Sequence, residues 1–315
     1  MPRFLALILI AVALCAGDAS TRILAKGELS ITVALPDREN GHYRGIRFDH
    51  GGIVTEATWR GHSFFGILKP PRDPKKHDGA SGTPEEFNID KPAGFAEAAD
   101  GGTFLKIGVG ALVRPNRASY GFMRDYAVAQ WATWTVKEEA DAITCSHSES
   151  AGAYAVTGSR TIRLLPGGDG FVIERELTST GTAELPVEHY NHTMIIIDGK
   201  PISPDYSLTY AVPVTVTHKL LAADGATVRF PIGPKPGESA WTEVKGLPDT
   251  PAAGTVRIAN AASKVAVELS TDTTPTKVVI YAEATAICPE AFTAFTLKPG
   301  ESKRWSQTYR FSASN

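Results

Sequence analysis

The segment from Pro186 to Tyr206 places titratable side chains at the start of an apolar run. Alternation along a β-strand puts Tyr190 and His192 on one face and His189 on the other. An imidazole gives or takes a proton near neutral pH, so a histidine that enters a core strand from a cleft is a candidate for acid–base catalysis. The alternative is a strand-end histidine whose hydrogen bonds serve structure alone.

Strands must position these side chains, because short β-type runs separated by turn residues fill most of the chain. No amphipathic helix of ten or more residues is indicated, and no linker divides the runs, so the sequence predicts one large antiparallel all-β domain over residues 20–315. The predicted strands are Glu28–Leu35, Tyr43–Asp49, Gly52–Trp59, Thr103–Val113, Tyr126–Val136, Ala142–Ser146, Gly158–Leu165, Phe171–Thr178, Val187–Ile197, Pro213–His218, Thr227–Phe230, Thr255–Ile258, Lys264–Leu269, Lys277–Ala282, Phe292–Leu297 and Arg304–Phe311.

One stretch, from Lys69 to Ala99, interrupts this pattern because it is rich in proline, glycine and charge. A loop of this length inside a compact domain is usually functional or disordered. We expect an ordered loop with little regular structure over the mouth of a cleft, with His77 pointing inward. A mobile surface insertion is the alternative.

Residues 1–19 have the pattern of a secretory signal peptide: one arginine, an apolar run and then small residues, with cleavage after Gly17 or Ala19. The apolar run is shorter than the ~20 residues that a membrane span needs. We therefore expect a secreted or periplasmic protein without a membrane span. Cys15 raises the lipoprotein alternative, which the bulky Leu14 before it disfavours.

The composition excludes several classes of partner and site. The net charge of −2 gives no basic excess for nucleic acid, and the sequence has no CxxC or HExxH spacing for a metal. Two cysteines follow the leader, Cys145 and Cys288, and in an oxidising compartment they are candidates for one disulfide. Sequence alone does not show that they meet.

Three features follow one another in a characteristic order: His77-Asp78-Gly79 in the long loop, Asn191-His192-Thr193 on a strand, and the run Tyr281–Phe292 before Leu297-Lys298-Pro299-Gly300-Glu301. Their order and spacing resemble those of the aldose 1-epimerase (galactose mutarotase) superfamily across most of the chain. The resemblance implies a β-supersandwich whose concave face binds a sugar ring.

The resemblance also implies roles. His192 is the general acid toward the ring oxygen, a C-terminal glutamate is the base on the anomeric hydroxyl, and neither metal nor cofactor takes part. The base is Glu290 or Glu283, and we prefer Glu290 because Cys288-Pro289 is expected to break the strand and present the next side chain at a cleft rim. Candidate substrate-binding residues are His77, Arg47, Arg72, Asn191, Tyr190 and Asp198.

The sequence departs from the family at the loop, where His77-Asp78-Gly79 replaces His-Gly-Gly, and after the Asn-His motif, where Met194-Ile195 replaces an aromatic pair. The binding arginine has several candidates ahead of His77, namely Arg44, Arg47, Arg60 and Arg72. Two alternatives therefore stay open. One is a polysaccharide lyase or glycoside hydrolase, which would want either a Tyr/His/Arg cluster or a second carboxylate, for which Glu85, Glu86, Asp198 and Asp205 are available. The other is a carbohydrate-binding protein without a catalytic pair.

Overall fold

The computed structural model describes residues 20–116 and 119–314. Regular structure in these ranges consists of β-strands and two short 3-10 helices, Ile197–Gly199 and Pro251–Gly254, and all strand pairings are antiparallel. The prediction of an all-β antiparallel fold is confirmed. The predicted leader, residues 1–19, lies outside the described ranges.

The first half of the described chain contains strands β1 to β11: β1 (Thr21–Lys26), β2 (Leu29–Ala34), β3 (Ile53–Trp59), β4 (His62–Ser63), β5 (Glu85–Phe87), β6 (Thr103–Lys106), β7 (Gly110–Val113), β8 (Val128–Trp131), β9 (Thr133–Glu138), β10 (Ala142–Ala151) and β11 (Tyr154–Leu164). The second half contains β12 to β22: β12 (Gly170–Ser179), β13 (Leu185–Asn191), β14 (Tyr206–Thr209), β15 (Ala222–Asp224), β16 (Thr227–Arg229), β17 (Ser239–Glu243), β18 (Val256–Asn260), β19 (Val265–Thr271), β20 (Lys277–Glu283), β21 (Ala286–Leu297) and β22 (Ser302–Ala313).

These strands form four sheets. A ten-stranded sheet has the order β15-β16-β14-β18-β19-β22-β12-β11-β10-β9, and a five-stranded sheet has the order β17-β20-β21-β13-β5. Strands β1 to β4 and strands β6 to β8 form two smaller sheets. A single apolar cluster that includes Leu24, Ile173 and Ile280 joins residues of the four-, ten- and five-stranded sheets. The five-stranded sheet, packed on this core, carries the site described below.

Alternation explains which side chains enter the interior. On β12, Phe171, Ile173 and Leu177 are buried, whereas Glu174 is exposed. Arg175 follows the same alternation and points inward, although it is charged. A buried arginine needs a buried acceptor, and β5 supplies one.

Two predicted strands are wrong because side chains hold the backbone in place of a ladder. Tyr43–Asp49 is a loop whose backbone is bound by the Tyr43 hydroxyl, which accepts from the N–H of Arg47 at 3.1 Å. Pro213–His218 contributes only a bridge between Thr215 and Lys245. These segments are held by scattered hydrogen bonds to several elements and do not form a ladder with a neighbouring strand.

Two other predictions need shorter strands. Thr103–Val113 is a hairpin of β6 and β7, in which Gly108 adopts a φ of 76° that favours glycine. The predicted strand Val187–Ile197 ends as β13 at Asn191, and only Ile195 beyond it forms bridges.

Cys145 and Cys288 are both free and buried, so the disulfide considered from the sequence does not form. Cys145 packs in the large core, whereas Cys288 packs in a separate cluster with Leu68 and Met194. Within the described ranges, no helix is long and apolar enough to cross a membrane.

Candidate active site

A cavity of about 350 Å³ opens beside the five-stranded sheet. Strands β13, β20 and β21 form its floor, and the loops after β2, β4, β5 and β7, together with Trp241 of β17, form its walls. Its lining combines titratable and aromatic groups: Arg47, Leu68, Lys69, His77, Asp78, Ile89, Asp90, Phe122, Met123, Tyr190, His192, Trp241, Lys277, Tyr281, Glu290 and Phe292.

The ladder between β13 and β21 is interrupted at this cavity. Its last regular pair is His189 and Thr293, and six residues further along each chain an isolated bridge joins Ile195 and Ile287. The register is therefore the same on both sides of the interruption. Residues between these pairs still lie opposite each other, although no backbone ladder joins them.

His192 and Glu290 lie opposite each other at the midpoint of this interruption, and Tyr190 lies opposite Phe292 beside them. The rings of Tyr190 and Phe292 stack with centroids 4.3 Å apart. All four side chains line the cavity. Strand register thus brings together two residues that are far apart in the sequence.

Pro289 accounts for one of the two bonded positions that are missing from the ladder here, the other being Asn191 opposite Ala291. Ile195 and Ile287 exchange both backbone hydrogen bonds, so the next bonded position along β21 is Pro289, which has no N–H to donate. β21 continues nevertheless, because Pro289 still pairs with Ile280 of β20. The expectation that Cys288-Pro289 breaks the strand is therefore wrong. The proline opens one side of β21 and leaves the other side paired.

His192 and Glu290 form a buried pair. His192 Nε2 lies 3.5 Å from Glu290 Oε1, and the side chains are 5% and 6% exposed. Burial, with the positive charge of Arg47 as a smaller cause, lowers the pKa of His192 to about 3. Burial raises the pKa of Glu290 to about 8. At neutral pH, Glu290 therefore holds the proton and His192 is an uncharged base.

Aromatic rings surround the His192 imidazole. The ring centroids of Phe48, Tyr190 and Tyr281 lie 5.6, 6.0 and 5.9 Å away. His192 Nδ1 is buried without a hydrogen-bond partner among the described residues. No carboxylate on that nitrogen raises the basicity of the ring, which agrees with its lowered pKa.

Arg47 reaches the cavity from the loop between β2 and β3. Its guanidinium lies between the rings of Phe48 and Phe122, 4.6 and 4.4 Å from their centroids. It donates to Glu86 at 2.7 Å and to the Tyr190 hydroxyl at 3.0 Å, and Tyr190 donates to Glu86 at 2.6 Å. These three groups form a closed ring of hydrogen bonds that fixes the guanidinium at the cavity wall.

Glu86 behind this ring also faces a second cation, Lys106. Lys106 Nζ lies 3.2 Å from Glu86 Oε1 and donates to the carbonyl of Phe87 at 2.7 Å. Burial opposes ionisation of Glu86, but the charges of Arg47 and Lys106 outweigh it and hold the pKa of Glu86 below its usual value. The ring is therefore anchored by a carboxylate that stays charged.

The long loop supplies five residues to the cavity lining: Lys69, His77, Asp78, Ile89 and Asp90. His77 Nε2 lies 2.7 Å from one oxygen of Asp78, and Lys69 Nζ lies 3.1 Å from the other. Burial lowers the pKa of His77. The loop also contains strand β5, which was not expected from its composition.

Glu283, the other candidate base, lies at the end of β20 and outside the cavity lining. Its carboxylate accepts from the Tyr281 hydroxyl and lies 3.8 Å from Lys69 Nζ. It therefore borders the site through two lining residues and does not face His192.

Three candidate binding residues also lie outside the lining. Asn191 points to the opposite face of β13, where it donates to Glu85 at 3.0 Å. Asp198 lies in the first 3-10 helix and pairs with His62 at 2.9 Å. Arg72 donates to the carbonyl of Gly79 at 3.2 Å and so supports the long loop. The structure thus brings together Arg47, His77, Tyr190, His192 and Glu290 from the candidate set.

The face of β13 away from the cavity carries a separate ionic cluster around Glu85. This carboxylate accepts from Arg175 at 2.8 Å and from His189 at 3.0 Å, and Arg160 lies 2.7 Å away. Trp305 Nε1 donates to His189 Nδ1 at 3.1 Å, which places the His189 proton on Nε2. Every member of this cluster has a partner.

Several lining residues were missed from the sequence, above all Lys69, Phe122, Tyr281 and Lys277. The support by Lys106 was also missed, since nothing in its sequence context marks it as buried. Strand alternation could have indicated that Lys277 and Tyr281, four residues apart on β20, share one face. Among the described residues, no group of three or more His, Cys, Asp or Glu side chains has an arrangement that could hold a metal ion.

No family model matches this sequence, and no curated protein matches it by sequence. Solved structures do match its fold. A candidate aldose 1-epimerase from Escherichia coli K12 is 15% identical, with a TM-score of 0.57 over 93% of this chain and 99% of that one. A galactose mutarotase related enzyme from Lactobacillus acidophilus is 10% identical, with a TM-score of 0.56 over 94% and 98%. A GalM/aldose epimerase homologue from C. elegans is 14% identical, with a TM-score of 0.54 over 94% and 100%. The chain therefore has the galactose mutarotase-like fold.

Proposed function

We propose that this protein is an aldose 1-epimerase-like isomerase that interconverts the anomers of a sugar by acid–base catalysis. The observation that carries the proposal is the His192–Glu290 pair, which is buried in the cavity floor with His192 Nε2 and Glu290 Oε1 3.5 Å apart. The shared fold with epimerase-like proteins and the aromatic lining of the cavity support a sugar as the ligand.

Anomer exchange needs two proton transfers, one at each of the two oxygens bonded to the anomeric carbon. The anomeric hydroxyl and the ring oxygen are both bonded to C1, so two neighbouring groups suffice to reach them. In the ring-opening step, His192 takes the hydroxyl proton while Glu290 protonates the ring oxygen, and the C1–ring oxygen bond breaks. After rotation of the aldehyde, Glu290 recovers its proton as the ring closes, and His192 returns the other proton to the new hydroxyl.

This assignment reverses the roles that the family resemblance implies, because burial leaves Glu290 protonated and His192 neutral in the free protein. Both assignments hold the same number of protons and complete the same cycle. We assign the roles of the other lining residues from their positions in the cavity. Arg47 is fixed at the cavity wall as a hydrogen-bond donor to sugar hydroxyls, and His77 with Asp78 contacts the sugar from the loop.

The carboxylates that the sequence suggested for a hydrolase are engaged: buried cations hold Glu85 and Glu86, and Asp198 pairs with His62. A lyase would use the Tyr190, His192 and Arg47 side chains of the cavity, and the rate of mutarotation separates it from an isomerase. A simple binding protein has no need of a neutral glutamic acid against a neutral histidine. Asp205 likewise lies outside the cavity lining.

The test is the rate of mutarotation of α-glucose and α-galactose, measured by polarimetry. We expect His192→Asn and Glu290→Gln each to lower kcat by about 10²-fold or more, with thermal unfolding preserved. Glu283→Gln is the matched control, since this glutamate borders the site without facing His192. A harmless Glu290→Gln together with a damaging Glu283→Gln would move the acid role from Glu290 to Glu283. Full activity in both glutamate variants would refute the mechanism.

We also propose export through the leader-like segment, which fits a carbohydrate substrate. Expression in a secreting bacterium should yield a mature chain that begins near Asp18 or Ser20, read by N-terminal sequencing. A chain that keeps Met1 after secretion, or that stays in the cytoplasm, would contradict export.

A further inference from the structure

We propose that the cavity extends into a second sugar subsite formed by Trp241 and Met123, so that the preferred substrate is the reducing end of a disaccharide or longer oligosaccharide. This inference rests on the proposed function, because it assumes that the anomeric carbon binds at His192 and Glu290.

The first observation is exposure. Few large apolar side chains in the described ranges are exposed, and they are Ile23, Met123, Val136, Ile232 and Trp241. Two of them line the cavity: Met123 is 66% exposed and Trp241 is 59% exposed. Exposed apolar side chains that line a cavity mark a surface that a ligand can cover.

The second observation is continuity with the floor. Trp241 on β17 lies opposite Tyr281 on β20, and the Tyr281 ring lies 5.9 Å from the His192 ring. On the other wall, Met123 directly follows Phe122, whose ring packs on the Arg47 guanidinium at 4.4 Å. Two lines of side chains therefore run from the catalytic floor to the rim, and each ends in an exposed apolar group.

The position of the reacting pair decides which end of a glycan faces the rim. His192 and Glu290 lie at the buried end of the cavity, so the anomeric carbon must enter first. The hydroxyls remote from that carbon then face outward, and a glycosidic bond at one of them carries the next ring past Trp241. The flat indole offers an apolar face to the C–H face of a pyranose, and Lys277 and Asp90 line the same cavity as polar groups.

The test compares kcat/KM for two monosaccharides, glucose and galactose, with kcat/KM for maltose, cellobiose and lactose, all by polarimetry. We expect the wild-type protein to prefer at least one disaccharide, and Trp241→Ala to reduce that preference by about tenfold. Trp241→Phe should restore most of it, because a phenyl ring keeps an apolar face. Ile232→Ala, an exposed apolar change outside the cavity, should leave the preference unchanged.

A second readout does not depend on turnover. In the Glu290→Gln background, titration calorimetry should show tighter binding of the preferred disaccharide than of glucose, and this difference should shrink with Trp241→Ala. An equal effect of Trp241→Ala on both sugar classes would overturn the subsite. So would a concentration-dependent dimer that Trp241→Ala dissociates, since the indole would then belong to a subunit interface. Failure of the wild-type protein to bind or convert any of the five sugars would instead refute the proposed function.

Discussion

Two buried glutamate–histidine pairs lie on opposite faces of β13, and their carboxylates ionise in opposite directions. Glu85 and His189 are 3.0 Å apart on the interior face, and Glu290 and His192 are 3.5 Å apart on the cavity face. Burial opposes the charge of Glu85, but Arg160 and Arg175 outweigh it and hold the pKa of Glu85 well below its usual value. Burial raises the pKa of Glu290 to about 8.

The two carboxylates are similarly buried, so their opposite pKa shifts arise from the number of charged and hydrogen-bonding partners that each one has. Glu85 has two arginines, a histidine and an amide around it, so its hydrogen-bonding capacity is used. Glu290 has His192 as its near partner, and the nearest cation that influences it, Arg47, is bonded to Glu86. The first pair is suited to holding strands together, and the second is suited to exchanging a proton with a ligand.

The largest expected effect concerns the interior pair. Glu85→Gln should lower the free energy of unfolding by about 3–5 kcal/mol, because it leaves buried arginines without their countercharge. Urea unfolding measures this change. Glu176→Gln is the matched control, since Glu176 pairs with Arg304 on an exposed face and should cost less than about 1 kcal/mol. Equal losses in the two variants would mean that the interior cluster adds little to stability.

A smaller effect of opposite sign is expected at the cavity pair. The folded-state pKa of Glu290 lies above its ordinary value of 4.5, so its contribution to stability is complete below pH 4.5 and is lost as the pH rises through about 8. Glu290→Gln removes this dependence. The variant should match the wild type near pH 4.5 and exceed it by about 1–3 kcal/mol at pH 9.

Urea unfolding across this pH range, at constant ionic strength, checks the prediction. His192 is present in both proteins, and its lowered pKa costs stability only as the pH falls below 6.5, so it does not mask the difference. A difference between variant and wild type that stays constant from pH 4.5 to 9 would show that Glu290 is ionised in the folded protein.

Alternation along β13 could be read from the sequence, and it correctly separated Tyr190 and His192 from His189. The ion-pair partners of Glu85 and Glu86, which are adjacent in the sequence, could not be predicted. These two glutamates belong to a strand of three residues, and their cations come from Arg160, Arg175, Arg47 and Lys106 on other elements. Partner identity at that distance depends on packing between sheets, which a single sequence does not encode locally.

The loop that carries Arg47 shows a second limit. Its residues alternate like a strand, yet the Tyr43 hydroxyl binds the backbone N–H of Arg47 and donates to the carbonyl of His77 at 3.3 Å. A tyrosine side chain thus makes the backbone hydrogen bond that a neighbouring strand would make.

The preference for Glu290 over Glu283 rested on a strand break at Pro289 that does not occur, because β21 continues through it.

Pro289 has a consequence for how this scaffold can change over evolution. Part of the opening between β13 and β21 is encoded in a missing main-chain donor, and no substitution at position 192 or 290 can supply that donor. The frame of the site is thus independent of the groups that it presents. Other pairs of side chains can therefore occupy positions 192 and 290 and face each other across the same opening, so the sheet can acquire new chemistry while its architecture is retained.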